Sequence, residues 1–169
     1  MTPFSLAVSS SGSVYLADDF SLVIRKIDTA QTITTVAGAG NQAYRTVPDG
    51  TPAINALFYL PSGLSFDRAG NLIVADFDAY RIRKVTPSGT FSMIAGNGRE
   101  GCCADGLLAT DALLYGPNSV AVDTQNNIYS ADSNNNRVRR IGTDGKITTV
   151  AGAGSASYDG DGGLQQAPI

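Results

Sequence analysis

The chain contains no histidine, no tryptophan, only two cysteines and only one glutamate, Glu100, among its 15 acidic residues. Without imidazole, neither a histidine-ligated zinc site nor a histidine acid–base relay can be assembled from these 169 residues. The cysteines are adjacent, Cys102-Cys103. A bridge between neighbours is strained, so two free thiols in a loop are expected, with a vicinal redox or metal role or a link to another chain as the alternatives. A basic excess is also missing: the formal charge is −3 and the pI about 4.7, which argues against a surface built to neutralise phosphates. No run approaches the roughly 18 apolar residues that suggest a membrane span. Met1-Thr2-Pro3-Phe4 shows no charged n-region, so no signal peptide is legible and the compartment stays open. The scarcity of glutamate is itself informative. Long helices favour glutamate, whereas aspartate serves turns, where its short side chain bonds nearby N–H groups.

What the chain does have is repetition. Pro61-Ser62-Gly63-Leu64-Ser65-Phe66-Asp67 is matched by Pro117-Asn118-Ser119-Val120-Ala121-Val122-Asp123 and more loosely by Pro3-Phe4-Ser5-Leu6-Ala7-Val8. Ala-Asp recurs at Asp18, Asp76 and Asp132, in steps of 58 and 56 residues. Basic pairs recur at Arg25-Lys26, Arg83-Lys84 and Arg139-Arg140, and each copy closes on Ala-Gly-x-Gly, ending at Gly40, Gly98 and Gly154. A fixed period of this size is the signature of a repeat architecture.

Within the second copy, Gly63–Asp67, Asn71–Asp76, Tyr80–Val85 and Thr90–Ala95 read as four short strands, separated by turn signals at Arg68-Ala69-Gly70, Phe77-Asp78-Ala79 and Pro87-Ser88-Gly89. The third copy keeps this order, and the first follows it with turns around Ser11-Gly12, Phe20-Ser21 and Thr29-Ala30. Four short strands joined by tight turns form one antiparallel blade. The expected fold is therefore an all-β propeller segment of three blades, over 1–60, 61–116 and 117–169, each stabilised by stacking on its neighbours. A blade of this kind needs about 40–45 residues. The surplus lies after each fourth strand, in loops 39–60, 97–116 and 153–169. Each loop carries an Asp-Gly, at Asp49, Asp105 and Asp159-Gly160-Asp161-Gly162, and the first two go on to Ala53–Leu57 and Ala109–Leu113, which fit a single helical turn. By strand parity these loops share a face with the turns that follow Asp18, Asp76 and Asp132, and that face is where a partner is expected.

These residues resemble NHL repeats. The pattern Pro-x-Gly-Leu-x-Phe-Asp, then Gly-Asn-Leu-Ile-Val-Ala-Asp, then Arg-Ile-Arg-Lys-Val in the second copy is similar to that family, and the third copy follows through Asn127–Asp132 and Asn136–Arg140. The first copy departs from it, with Val23 where the others have Arg81 and Arg137. The resemblance implies a ring that usually closes with six blades, so three blades are half a ring. A fragment of a longer chain is expected, with a homodimer completing the ring as the alternative.

The repeated aspartates have a structural reading, in which they accept N–H bonds of the adjoining turn or pair with arginine, and a functional one as ligand contacts. Asp18, Asp19, Asp76, Asp78, Asp132, Asn134, Asp49 and Asp105 form the candidate binding face. Arg81, Arg83, Arg137 and Arg139 form a candidate basic stripe that could hold an anion or an RNA backbone, against a bland reading as a solvated or salt-bridged strand. Asp159 and Asp161 resemble the start of a calcium loop, but the later oxygen ligands are missing. No nucleophile–base pair follows from the spacing, so neither a catalytic site nor a cofactor is expected. The expectation is a non-enzymatic module that presents its loops to a protein or carbohydrate. A hydrolase or lyase completed by residues outside this chain and an RNA-binding domain are the alternatives.

Overall fold

The computed structural model describes residues 2–41, 47–102 and 105–156. Twelve strands run in chain order: β1 Pro3–Val8, β2 Val14–Asp18, β3 Val23–Ile27, β4 Ile33–Ala37, β5 Pro61–Phe66, β6 Leu72–Asp76, β7 Arg81–Val85, β8 Phe91–Ala95, β9 Pro117–Val122, β10 Ile128–Asp132, β11 Arg137–Ile141 and β12 Ile147–Ala151. They make three four-stranded sheets with strands in sequence order and every neighbouring pair antiparallel. The all-β expectation holds. Sequence-expected helical turns are short 3-10 turns at Ala53–Asn55 and Ala109–Asp111.

The turn between the first two strands of a sheet is built by one side chain. Asp67 Oδ1 accepts the N–H groups of Ala69 (2.9 Å) and Asn71 (2.8 Å), and Oδ2 accepts Asn71 Nδ2 at 2.7 Å. Asp123 repeats the arrangement with Gln125 and with both nitrogens of Asn127. The Asn127 amide and the backbone N–H donors hold the Asp123 carboxyl below the usual carboxylate range despite some desolvation.

Stacking supplies the core. One face of the first sheet (Ala17, Ile24, Ala37) packs on Phe58, Leu64, Leu72, Val74 and Phe91. The opposite face of the second sheet (Ile73, Ala75, Ile82, Ala95) packs on Val120, Ile128, Ile141 and Ile147. Burying one such aliphatic or aromatic side chain is worth about 1.5–3 kcal/mol, so sheet contacts, rather than the short strands, carry the stability. At the innermost strands the approach is closer still. A Cβ on Gly63 would lie 2.6 Å from Ser119 Cα, so only glycine lets β5 lie against β9 there.

The long loops do something that the strand pattern does not announce. After β4 the chain crosses to the outer edge of the next sheet and pairs with β8: Gly50 N–H donates to Phe91 O (2.9 Å), Phe91 N–H to Thr51 O (2.9 Å) and Ala53 N–H to Gly89 O (2.7 Å). Segment 105–109 does the same along β12 through Gly106, Leu107 and Ala109. The following 3-10 turn then bonds back to the previous sheet, with Gly38 N–H to Ala53 O and Ala39 N–H to Ala56 O, both 2.9 Å. These two loops are straps that satisfy an exposed sheet edge and staple two sheets together.

The lowered Asp123 carboxyl leads to a pH signature. Its ionised form is favoured in the folded state, so its contribution is full above the unfolded value of 3.8 and is lost as pH falls through the folded one. Asp123→Asn is expected to lower the thermal midpoint at pH 7, and the gap to the unsubstituted chain should narrow below pH 3.8 in scans across pH.

Candidate functional site

The aspartates that end the second strands, Asp18, Asp76 and Asp132, are completely buried. Asp76 Oδ1 accepts the N–H groups of Tyr59 (2.9 Å) and Leu60 (3.0 Å), which enter the sheet just before β5. Its Oδ2 receives Arg83 Nε at 3.2 Å and Nη2 at 3.1 Å. Arg83 is itself buried and stands over the Phe91 ring, 5.0 Å from the centroid. Burial pushes the Asp76 carboxyl up, against the pull of Arg83 and the two N–H donors. Asp132 is built alike: Tyr115 N–H donates to Oδ1 at 2.7 Å, Asn135 Nδ2 to Oδ2 at 2.7 Å, and Arg139 Nη1 lies 3.6 Å from Oδ2. Burial raises this carboxyl too, opposed by Asn135, Tyr115 and Arg139. At Asp18, burial is outweighed by bonds from Thr2 and Ser21, which hold the carboxyl below its usual range. Arg25 stays 3.9 Å from Asp18 and bonds Thr35 Oγ1 at 2.9 Å instead.

The candidate face thus divides. Asp18, Asp76 and Asp132 are sealed beneath it, while Asp19, Asp78 and Asn134 sit above them with Asp78 and Asn134 exposed. Asp49 and Asp105 are elsewhere, on the outer edge of the following sheet. Asp49 Oδ1 accepts Met93 N–H at 2.9 Å, and Asp105 takes Thr149 N–H, Thr149 Oγ1 and buried Arg139 Nη2. The physical reason is that an edge strand's N–H groups need acceptors, and the strap places a carboxylate there.

The arginines divide as well. Arg83 and Arg139 are buried, so they form no solvated stripe. Arg81 and Arg137 are half-buried and donate to Asn97 O (3.0 Å) and Ala153 O (3.2 Å). This explains the second glycine of Ala-Gly-x-Gly: at Gly98 (φ 87°) and Gly154 (φ 88°) a Cβ would collide with those guanidinium groups. Val23 leaves the first copy without this clamp, and a Cβ on Gly40 there would meet nothing closer than Ser21 O at 3.5 Å, an ordinary contact.

The free-thiol expectation fails at Cys102, which is disulfide-bonded. Strain disfavours a bridge in such a place without forbidding it, and the preceding Gly101 (φ 152°) gives the loop freedom to bend. Cys103, Asp159 and Asp161 lie outside the described residues. Sequence reasoning passed over the aromatic residues of the face. Tyr80, in the left-handed region at φ 55°, packs edge-to-face on Tyr115 with ring centroids 5.8 Å apart, and its hydroxyl lies 3.4 Å from Glu100 Oε2. Phe20 is 83% exposed on the corresponding turn of the first sheet. Tyrosine recurring just before the proline, at Tyr59 and Tyr115, was the available signal.

Three stacked four-stranded antiparallel sheets, innermost strands side by side, make this chain a section of a β-propeller. Residues 114–141 match the NHL repeat. The third sheet thus carries an NHL repeat. The chain is 32% identical over 164 residues to Teneurin-m of Drosophila melanogaster and 29% identical over 166 residues to Teneurin-3 of Danio rerio, in each case over 90% of this chain. It spans only 6% of those proteins' length. Among solved structures it resembles a Bacteroides thetaiotaomicron VPI-5482 protein (TM-score 0.66, 24% identity, 88% of this chain and 35% of that one). It also resembles a chain of a nidogen/laminin complex (TM-score 0.62, 18% identity, 89% and 48%). A third likeness is to virginiamycin B lyase from Staphylococcus aureus (TM-score 0.54, 19% identity, 85% and 39%). At these identities the structural likeness establishes the fold alone.

The buried pairs make a graded test. Asp76→Ala strands the Arg83 guanidinium in the core and is expected to cost about 3–5 kcal/mol in urea unfolding. Asp18→Ala should cost clearly less, because Arg25 retains 35% side-chain exposure and its bond to Thr35.

Proposed function

We propose that this chain is a non-enzymatic binding module whose loop face meets a protein partner. The observation that carries this reading is the contrast on that face. The repeated carboxylates are consumed by the scaffold, while Phe20, Tyr80, Tyr115, Asp78 and Asn134 stand above them on rigid turns. Aromatic side chains held by a preformed scaffold lose little entropy on binding, and they are the usual anchors of protein interfaces. The nidogen/laminin likeness supports the reading, since that propeller was solved in a complex of two proteins. A carbohydrate partner would use the exposed Tyr115 and the half-buried Tyr80 through ring stacking. RNA fits less well, because Arg83 and Arg139 are inside the core and Arg81 and Arg137 are spent on carbonyl oxygens. The lyase likeness brings no catalytic group with it. Among the described residues no three His, Cys, Asp or Glu side chains converge as a metal site.

A second reading concerns assembly. The first sheet's outward side exposes Phe4 (58%), Leu6 (62%) and Val8 (64%), and the third sheet exposes Val138 (37%) and Val150 (40%). Leu6 and Val8 occupy the repeat positions of Leu64 and Phe66, which in the second sheet pack on the sheet before. The two ends are therefore the complementary halves of a contact made twice within the chain, to be covered by a second copy or by adjoining sequence.

Two measurements follow. On arrays of extracellular protein domains and glycans, the chain should bind a discrete partner, and a Phe20→Ser, Tyr80→Ala, Tyr115→Ala variant with unchanged thermal midpoint should lose it. Binding to glycans alone would redirect the partner class, and no binding at all would sink the module reading. In native mass spectrometry the 169-residue chain should appear as a dimer that Leu6→Glu dissociates. A monomer at micromolar concentration would assign the open faces to adjoining sequence instead.

A further inference from the structure

We propose that the cleft between the first and second sheets is a separate binding site for a small organic carboxylate with an apolar, planar body. The cleft holds a cavity of about 300 Å³, at the lower end of the range for small-molecule sites. Its walls are apolar, from Val36, Leu72 and Val85. Tyr15 and Phe66 meet there edge-to-face, with centroids 5.0 Å apart and planes at 82°, which leaves ring surface for a planar ligand.

Lys26 is the one charged residue lining the cavity. Its ammonium stands 5.9 Å from the Tyr15 centroid, and no carboxylate is shown within 4.0 Å of it among the described residues. The turn at the cavity's rim adds two hydroxyls, Thr86 Oγ1 and Ser88 Oγ, 2.8 Å apart. A cation, the one hydroxyl proton that the Thr86–Ser88 bond leaves free, and an aromatic wall are the elements that select a carboxylate on an apolar body.

The neighbouring cleft shows that this opening is not demanded by the fold. The repeat positions of Tyr15 and Phe66 are Ile73 and Val122 there, aliphatic residues of the packed core. The repeat position of Gly70 is Asn126, whose Oδ1 accepts Arg68 N–H at 3.1 Å and bridges the rim of the second cleft. In the first cleft Gly70 lines the cavity and brings no side chain to bridge it. The differences between the two clefts thus fall together around one cavity. They exchange close packing for aromatic rings and remove the bridging amide.

The test uses the 169-residue chain, labelled with nitrogen-15 and titrated with phenylacetate and, separately, with neutral phenylacetamide. Phenylacetate is expected to move the amides of Tyr15, Gly70 and Gly89 saturably, with a dissociation constant of about 0.1–5 mM, as befits a ligand of ten heavy atoms. Phenylacetamide should bind at least about 5-fold more weakly, and Lys26→Met should reduce phenylacetate to the level of the amide. Gly70→Asn should abolish binding of both. The backbone there has φ 80°, Asn126 adopts φ 64° at the same repeat position, and an added Cβ would meet Pro87 Cγ at 3.6 Å, an ordinary contact. The thermal midpoint should therefore hold. Absence of saturable shifts up to about 20 mM, four times the weakest expected constant, would overturn the proposal. Binding that survives both Lys26→Met and Gly70→Asn unchanged would do so equally.

Discussion

A sheet of four short strands with apolar residues on both faces cannot stand in water alone, and every other feature of this chain answers that constraint. Strands of five or six residues make too few hydrogen bonds to hold themselves. The second sheet is covered on one side by Ala17, Ile24 and Ala37 and on the other by Val120, Ile128 and Ile147. The straps meet the remaining need at the outer edge, where Gly50, Thr51 and Ala53 supply partners that β8 would otherwise lack. The same constraint leaves Leu6 and Val8 exposed where the first sheet has no neighbour. Stability and assembly are thus one problem here.

The buried carboxylates belong to that problem as well. Asp76 gathers the incoming chain at Tyr59 and Leu60 and the third strand at Arg83 onto one side chain. This fixes where the innermost strand begins relative to the turn above it. A buried ion pair is weak evidence of net stability, and its geometric role is clearer. It keeps the loop face rigid while its own charge never reaches that face. The face is left for Phe20, Tyr80 and Tyr115, residues outside the repeat's acidic pattern.

Much of the fold was legible because its signals are local. The run Asn71–Asp76, the turn glycines and the Ala-Asp step each report on backbone a few residues away, and β6, β7 and β8 fall within a residue of the stretches read from the sequence. The candidate site was legible only in part. Sequence spacing put Asp76 and Arg83 near one another without telling that both are sealed from solvent. It grouped Asp49 with Asp78, although one caps the outer edge and the other lies exposed on the turn. Burial and long-range pairing depend on which sheet lies alongside, and no local pattern carries that.

By itself the sequence determined the repeat, the strands and their turns, because turn chemistry and the alternation of side chains act over a few residues. The tertiary structure alone decided that the first two long loops are straps, that the repeated acids and two of the arginines are interior, and that a cavity stays open between the first two sheets. Those outcomes rest on contacts between residues far apart in the chain. The bond from Arg68 N–H to Asn126, with Gly70 standing where the first cleft would need its counterpart, is a difference that has meaning only once the sheets are stacked.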